Sequence, residues 1–176
     1  SAEEFTEWAQ WINYDGYRAM FESSQTCRQG LLIWMSHPCW PSMVWQTYDY
    51  YFDPTAAYFG TKKACEPVHI QYNPLAEKVQ LVNISRKDFT SVEAYAEVLD
   101  IYGRRIAADT CTTPLPVDTT LNVMDARVPE GQDAYYLRLS LKADGEVLSE
   151  NFYVRSAGDS GLKSLLSLPA AEVNVK

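Results

Sequence analysis

Cysteine, histidine, positive charge and long apolar runs are all scarce here, and each shortage excludes a class of protein. Four cysteines, at positions 27, 39, 65 and 111, are too few and too scattered to staple a small disulfide scaffold. None forms a Cys-x-x-Cys pair, and His37 and His69 are not at zinc-ligand spacing. No metal site and no cofactor are expected, and the thiols are expected to be free and mostly buried. The longest wholly apolar run, Leu31–Met35, covers five residues. A bilayer span needs roughly 20, so no membrane segment is expected. Lys and Arg number 15 against 23 Asp and Glu, for a net charge of −8. The basic pairs Lys62-Lys63 and Arg104-Arg105 are isolated, whereas phosphate backbones need clustered cations, so nucleic acid is not an expected partner. The opening Ser-Ala-Glu-Glu has no apolar core of a signal peptide.

What is present is the composition of a globular protein, 47% apolar and 22% charged. At 176 residues there is room for one domain, or for one domain and part of another. Composition changes near Cys65-Glu66-Pro67. All five tryptophans lie in the first 45 residues, and after Pro67 the chain becomes short alternating runs between polar turns.

The first part reads helix, strand, long loop, helix. Phe5, Trp8, Ile12, Ala19 and Met20 recur at helical spacing and predict a helix over Glu3–Cys27, with Glu3, Glu4 and Glu7 favoured by the dipole in its first turns. Trp11, Tyr14 and Tyr17 make its other faces aromatic too. Leu31–Met35 suits a strand buried on both faces, as in a parallel sheet, and Pro38 and Pro41 stop it. Pro54 opens a second helix, Thr55–Ala64, which ends before Pro67. A helix, one buried strand and a helix have apolar faces that need further neighbours, as in an incomplete α/β domain. The second part is self-sufficient. Val68–Tyr72, Lys78–Ile84, Val92–Ile101, Thr120–Met124 and Ala134–Leu141 alternate. Asn73-Pro74, Tyr102-Gly103, Pro129-Glu130-Gly131 and Asp144-Gly145 separate runs as turns. About seven short strands in this length predict an immunoglobulin-like sandwich without its disulfide. Ser156–Gly161 has a linker composition, and Leu162–Val175 resumes apolar patterning as the first strand of another module.

The aromatic stretch Leu31–Phe52 surrounds Ser36-His37-Pro38-Cys39, a possible nucleophile cluster. On an extended segment Ser36 and His37 point to opposite faces, Cys39 lies across Pro38, and no third residue is placed to orient the imidazole. A catalytic pair is not expected there. The sequon Asn83-Ile84-Ser85 reads as a strand edge.

Trp34-Met35, Trp40-Pro41-Ser42, Tyr48-Asp49-Tyr50-Tyr51, the run Tyr58–Tyr72 with its Lys62-Lys63-Ala64-Cys65-Glu66-Pro67 core, and Asn13–Glu22 together carry a resemblance. Over residues 8–72 the chain resembles the end of the catalytic barrel of glycoside hydrolase family 2, in the exo-β-D-glucosaminidase and β-mannosidase branch. Over 73–155 the resemblance rests on strand pattern. It implies a mixed fold: residues 1–65 as the last helices and eighth strand of a (β/α)8 barrel, 66–158 as an immunoglobulin-like β-sandwich, and 159–176 as a linker and the start of a further β domain.

Barrel active sites lie at the C-terminal ends of the strands. The resemblance therefore implies that Trp34, His37 and Trp40 line a sugar pocket, with an aromatic face set against the apolar face of a pyranose. The branch has amide side chains where this chain has His37-Pro38, so its sugar contacts differ there. The chemistry needs two carboxylates, about 5–5.5 Å apart in a retaining enzyme. The family carries both as glutamates on earlier strands. Glu22, Glu66, Asp49 and Asp53 read as helix-surface, capping or loop residues, and Glu3, Glu4 and Glu7 lie on the first helix. No residue here is therefore expected to be catalytic, and this stretch alone is expected to be inactive. The implied partners are a carbohydrate substrate and the rest of the barrel, and the implied location is periplasmic or secreted. A second reading makes the sandwich a free-standing carbohydrate-binding or interaction module. It requires exposed rings among Phe89, Tyr95, Tyr102, Tyr135, Tyr136, Phe152 and Tyr153, whose places in alternating strands point instead to the core.

Overall fold

The computed structural model describes residues 1–27, 30–43, 45–126, 133–156 and 161–169. Helix α1 spans Ala2–Cys27 and begins where Ser1 Oγ accepts the Glu4 N–H at 3.1 Å, with Glu3 and Glu4 in its first turn. Helix α2, Ala56–Ala64, starts without a side-chain cap from Thr55. Instead Gln10 Oε1, on α1, accepts the Ala56 N–H at 2.8 Å, which satisfies one free donor and ties the two helices together. Their backbones touch at Gly60, where a Cβ would stand 2.3 Å from Tyr14 O.

Seven strands follow: β1 Val68–Asn73, β2 Lys78–Asn83, β3 Phe89–Asp100, β4 Arg105–Leu115, β5 Thr119–Asp125, β6 Ala134–Ala143 and β7 Glu146–Ser156. They form two antiparallel sheets, β1-β2-β5 and β4-β3-β6-β7. This is the expected immunoglobulin-like sandwich, with the fourth strand paired to the third rather than placed on the opposite sheet. Alternate residues make its core, among them Ile70, Val79, Leu81, Val92, Leu137, Leu139 and Leu141. Each fully buried aliphatic side chain contributes about 1.5–3 kcal/mol of transfer free energy. Asp144-Gly145 closes the β6–β7 hairpin with φ of 52° and 83°, the two positive values that a primed two-residue turn needs. Asp100 Oδ1 accepts the Tyr102 and Arg104 N–H groups at the β3–β4 turn.

β1 has a free edge, and β7 covers it with side chains. Ser149 Oγ accepts the Ile70 N–H, Asn151 Nδ2 donates to Ile70 O, and Tyr153 Oη accepts the Tyr72 N–H, at 3.3, 3.0 and 3.0 Å. Residues two apart on one face of a strand thus replace a missing backbone ladder.

Three expectations are corrected. Leu31–Met35 forms no strand, and Leu32 is 98% exposed, because no described strand lies alongside to pair with it. Leu162 onward begins as a 3-10 turn, Gly161–Ser167, rather than a strand. Cys39 and Cys65 are exposed rather than buried, while Cys111 is half-buried against the core and the Cys27 side chain lies outside the described part. Asn83 ends β2, the strand edge expected of it. It is fully buried, with Nδ2 donating to the carbonyls of Lys87, Leu115 and Pro116. The Pro129-Glu130-Gly131 turn, most of the Ser156–Gly161 linker, and residues 170–176 lie outside the described residues.

Among the sandwich aromatics, Tyr135 and Tyr153 are buried and Phe89 packs on the core. Tyr102 is exposed, and Phe152 is exposed beside Tyr136, 5.3 Å between ring centroids. No helix of the described residues is long and apolar enough to cross a membrane.

Candidate functional site

Residues 30–43 and 45–55 fold over α1 as an irregular aromatic wall. Ser36 O accepts the Tyr48 N–H and the Thr47 hydroxyl, both at 3.0 Å. Thr55 donates its N–H to Thr47 O and its hydroxyl to Gln46 O. Asp49 Oδ1 accepts the N–H groups of Tyr51 and Asp53, the turn-forming work expected of a loop aspartate. Tyr17, on α1, donates its hydroxyl to Trp45 O at 2.5 Å and pins the wall to the helix. Met35 and Phe52 take φ values of 60° and 68°, so the chain turns sharply on both sides of the stretch.

The three residues expected at a sugar pocket stand on this wall. Trp34 is 78% exposed and Trp40 67%. His37 lies against Phe52, centroids 4.9 Å apart. The structure corrects one local expectation here: Ser36 Oγ lies 3.1 Å from His37 Nδ1 because the chain bends at these residues and brings the side chains together. The imidazole is packed by an aromatic ring, and Cys39 makes no hydrogen bond among the described residues, so the arrangement lacks the orienting group of a nucleophile site. No ring contact joins Trp34, His37 and Trp40 among the described residues; they share a stretch, not a closed pocket.

Two apolar grooves run between wall and helix. One, of about 450 Å³, is lined by Ile12, Gly16, Met20, Leu31, Trp34 and Trp45. The other, of about 440 Å³, is lined by Phe5, Trp8, Ile12, Pro38, Met43 and Trp45. Ile12 and Trp45 belong to both, so the grooves adjoin along the side of α1 turned away from the sandwich.

The opposite side of α1 is polar, buried and fixed. Arg18 is 1% exposed, donates to Asn151 Oδ1 at 3.1 Å and Phe152 O at 2.5 Å, pairs with Asp15, and lies 4.0 Å over the Tyr153 ring. Asp15 also pairs with Arg155. Glu22 Oε1 accepts from Tyr153 Oη at 2.8 Å and Asn151 Nδ2 at 2.9 Å and lies 3.1 Å from His69 Nε2. Glu66 takes Lys63 Nζ at 2.6 Å and Ser149 Oγ at 2.7 Å and faces His69 Nδ1. Burial opposes the Glu66 charge, yet hydrogen bonds from His69, Lys63 and Ser149 outweigh it and hold the carboxyl at about 2. Gln71, Gln80 and Asn122 continue the network as a ladder of amides across the three-stranded sheet.

Sequence reasoning missed this network and placed Glu22 on a helix surface. The signal was available: Asp15, Arg18 and Glu22 fall at helical spacing on one side of α1, and His69 and Gln71 occupy alternate positions of β1. No cluster of three or more metal-binding side chains occurs among the described residues.

No family model matches the chain. It is 31% identical to the exo-β-D-glucosaminidase of Arthroderma benhamiae over 163 residues, 87% of this chain and 18% of that protein. It is 28% identical to the mannosylglycoprotein endo-β-mannosidase of Lilium longiflorum, over 99% of this chain and 19% of that one. The solved exo-chitosanase of Amycolatopsis orientalis superposes with a TM-score of 0.82 at 28% identity, over 89% of this chain and 20% of that one. The β-D-mannosidase of Dictyoglomus thermophilum, at 19% identity and a TM-score of 0.69, shares the fold. The chain thus spans about a fifth of the length of the curated relatives it matches. It is a homologue of the exo-β-D-glucosaminidases and β-mannosidases, the glycoside hydrolases of family 2 that the barrel-end motifs resemble.

Proposed function

We propose that the chain is part of a retaining, exo-acting β-glycosidase of the β-glucosaminidase or β-mannosidase type. In this reading residues 1–65 are the last helices and eighth strand of a (β/α)8 barrel, 66–158 are the sandwich that buttresses it, and 159–176 lead to a further β domain. Trp34, His37 and Trp40 form one wall of the sugar pocket. The acid/base and nucleophile are two glutamates on chain outside this sequence, and this stretch alone is inactive. Its partners are a carbohydrate substrate and the remainder of the barrel, in a periplasmic or secreted enzyme.

The observation that carries this reading is the exposed wall. Leu32, Trp34, Trp40 and Met43 stand exposed beside the apolar side of a helix whose other side is bound to the sandwich. Scattered apolar residues on a surface need no explanation, but a contiguous set marks a face that takes a partner. A barrel interior and a sugar subsite are both such partners. The test is kinetic. In the complete enzyme, Trp34→Ala should lower kcat/KM on an aryl β-D-glucosaminide or β-D-mannoside more than about tenfold, roughly 1.4 kcal/mol of lost transition-state binding. An unchanged rate removes Trp34 from the pocket.

A further inference from the structure

His69 is 1% exposed and enclosed by α1, the turn after α2, and β7. Its Nδ1 lies 3.1 Å from Glu66 Oε2 and its Nε2 lies 3.1 Å from Glu22 Oε1. An ionised carboxylate only accepts, and a neutral imidazole has one N–H. A neutral ring would therefore turn a bare nitrogen lone pair on one of two carboxylates. Neighbouring donors do not remove the conflict. Asn151 Nδ2 stands 3.4 Å from Nε2 but is committed to Glu22 Oε1 at 2.9 Å and Ile70 O at 3.0 Å. Ser149 Oγ stands 3.5 Å from Nδ1 but gives its proton to Glu66 Oε2 at 2.7 Å.

We propose that the folded protein holds His69 as a buried imidazolium, and that this proton is a pH-controlled latch fastening α1 to the sandwich. With the proton in place, Glu22 from the helix and Glu66 from the turn before β1 close on one cation. Without it, two carboxylates face a neutral ring, and α1 loosens from β1 and β7. Of the other charges around the ring, Arg18 on α1 and Arg155 on β7 are committed to Asp15, and Lys63 on α2 shares Glu66 through its other oxygen. From β7 the Tyr153 hydroxyl also faces Glu22, and burial raises its pKa well above the usual value, so it stays neutral. Among the described residues the ion-pair partner of Glu22 is His69.

Burial opposes charge on His69, but hydrogen bonds with Glu22 and Glu66 outweigh it and move its pKa upward. A raised folded value gives the latch full strength below the unfolded value of 6.5 and removes it as pH rises through the folded value. This is opposite in direction to the carboxylate Glu66, whose contribution is lost toward acid.

Nitrogen-15 NMR of the imidazoles in the 176-residue chain reads the state directly, with His37→Asn assigning the two histidines. At pH 7.5 both His69 nitrogens should be protonated. Raising the pH should remove one N–H and lower amide protection at 18–22 and 68–72 by at least about tenfold, after correction for intrinsic exchange. A single protonated nitrogen at pH 7.5 overturns the proposal, as does deprotonation that leaves that protection unchanged. Glu22→Gln should leave His69 neutral at pH 7.5, and an imidazolium retained there contradicts the two-carboxylate clamp. If Glu22→Gln does not fold, Glu66→Gln, at the less buried carboxylate, makes the same comparison.

Discussion

Along one side of α1, Asp15, Arg18 and Glu22 are held by β7 and β1; along the other, Phe5, Ile12 and Met20 stand exposed beside an exposed aromatic wall. At about 100° per residue the two sets lie roughly a third of a turn apart on one helix. The difference inverts the usual arrangement, in which a helix buries its apolar stripe and shows charge to water. Here the polar side is the finished interface and the apolar side is the unfinished one. A helix patterned this way belongs between two bodies: a sandwich that it grips through hydrogen bonds, and a larger apolar assembly that covers its other face. The function proposed above assigns the second body to a barrel.

The largest effect should come from the finished side. Arg18→Ala leaves Asp15, Asn151 Oδ1 and Phe152 O without their buried donor and should cost about 3–5 kcal/mol, the range for breaking a buried ion pair. Urea unfolding measures it, and a loss below about 1 kcal/mol would break the claim that this side is fixed. Gly60→Ala should follow at about 1–3 kcal/mol, since the added methyl meets the Tyr14 carbonyl at 2.3 Å and the helices must part. A thermal midpoint unchanged from the parent chain would contradict that contact.

The sandwich was legible in the sequence wherever a strand keeps one apolar face. β1, β2, β3, β5 and β6 alternate and fall within a few residues of expectation. The strands that alternation did not pick out have physical reasons. β7 turns Ser149 and Asn151 inward to serve the edge of β1, so its buried positions do not read as apolar. β4 is an edge strand with Thr110, Thr112, Thr113 and Pro114, and little of it is buried. Leu31–Met35 reads as a strand because five apolar residues in a row demand burial. A strand also requires a neighbour, which no local pattern supplies. The barrel-end motifs singled out in Asn13–Glu22 and Tyr58–Tyr72 contain Asp15, Arg18, Glu22, Gly60, Lys63, Glu66 and His69. Gly60 seats the two helices on each other, and the rest join the helices to the sandwich, so in this structure these residues serve docking.

Smaller effects sharpen the contrast. As pH falls from about 4.5 toward 2, the stability contributed by Glu66 should be lost, because its folded value sits near 2 and its unfolded value near 4.5. Glu66→Gln should therefore flatten the acid limb of a stability–pH curve, and a curve superimposable on the parent would remove Glu66 from the interface. On the unfinished side, Leu32→Ser should change stability by no more than about 0.5 kcal/mol, since the side chain has nothing to lose. The same substitution should reduce self-association in sedimentation, where equal association by both chains would show that the wall is not the adhesive surface.

Amide hydrogen exchange across the isolated chain weighs the two sides in a single experiment. The account predicts exchange at residues 31–43 that is fast and about a thousandfold or more faster than at β2 and β6, with 15–22 of α1 protected with the sandwich. Protection at 31–43 equal to that of the sandwich would contradict it, because the wall would then be a completed structure rather than one face of a larger barrel.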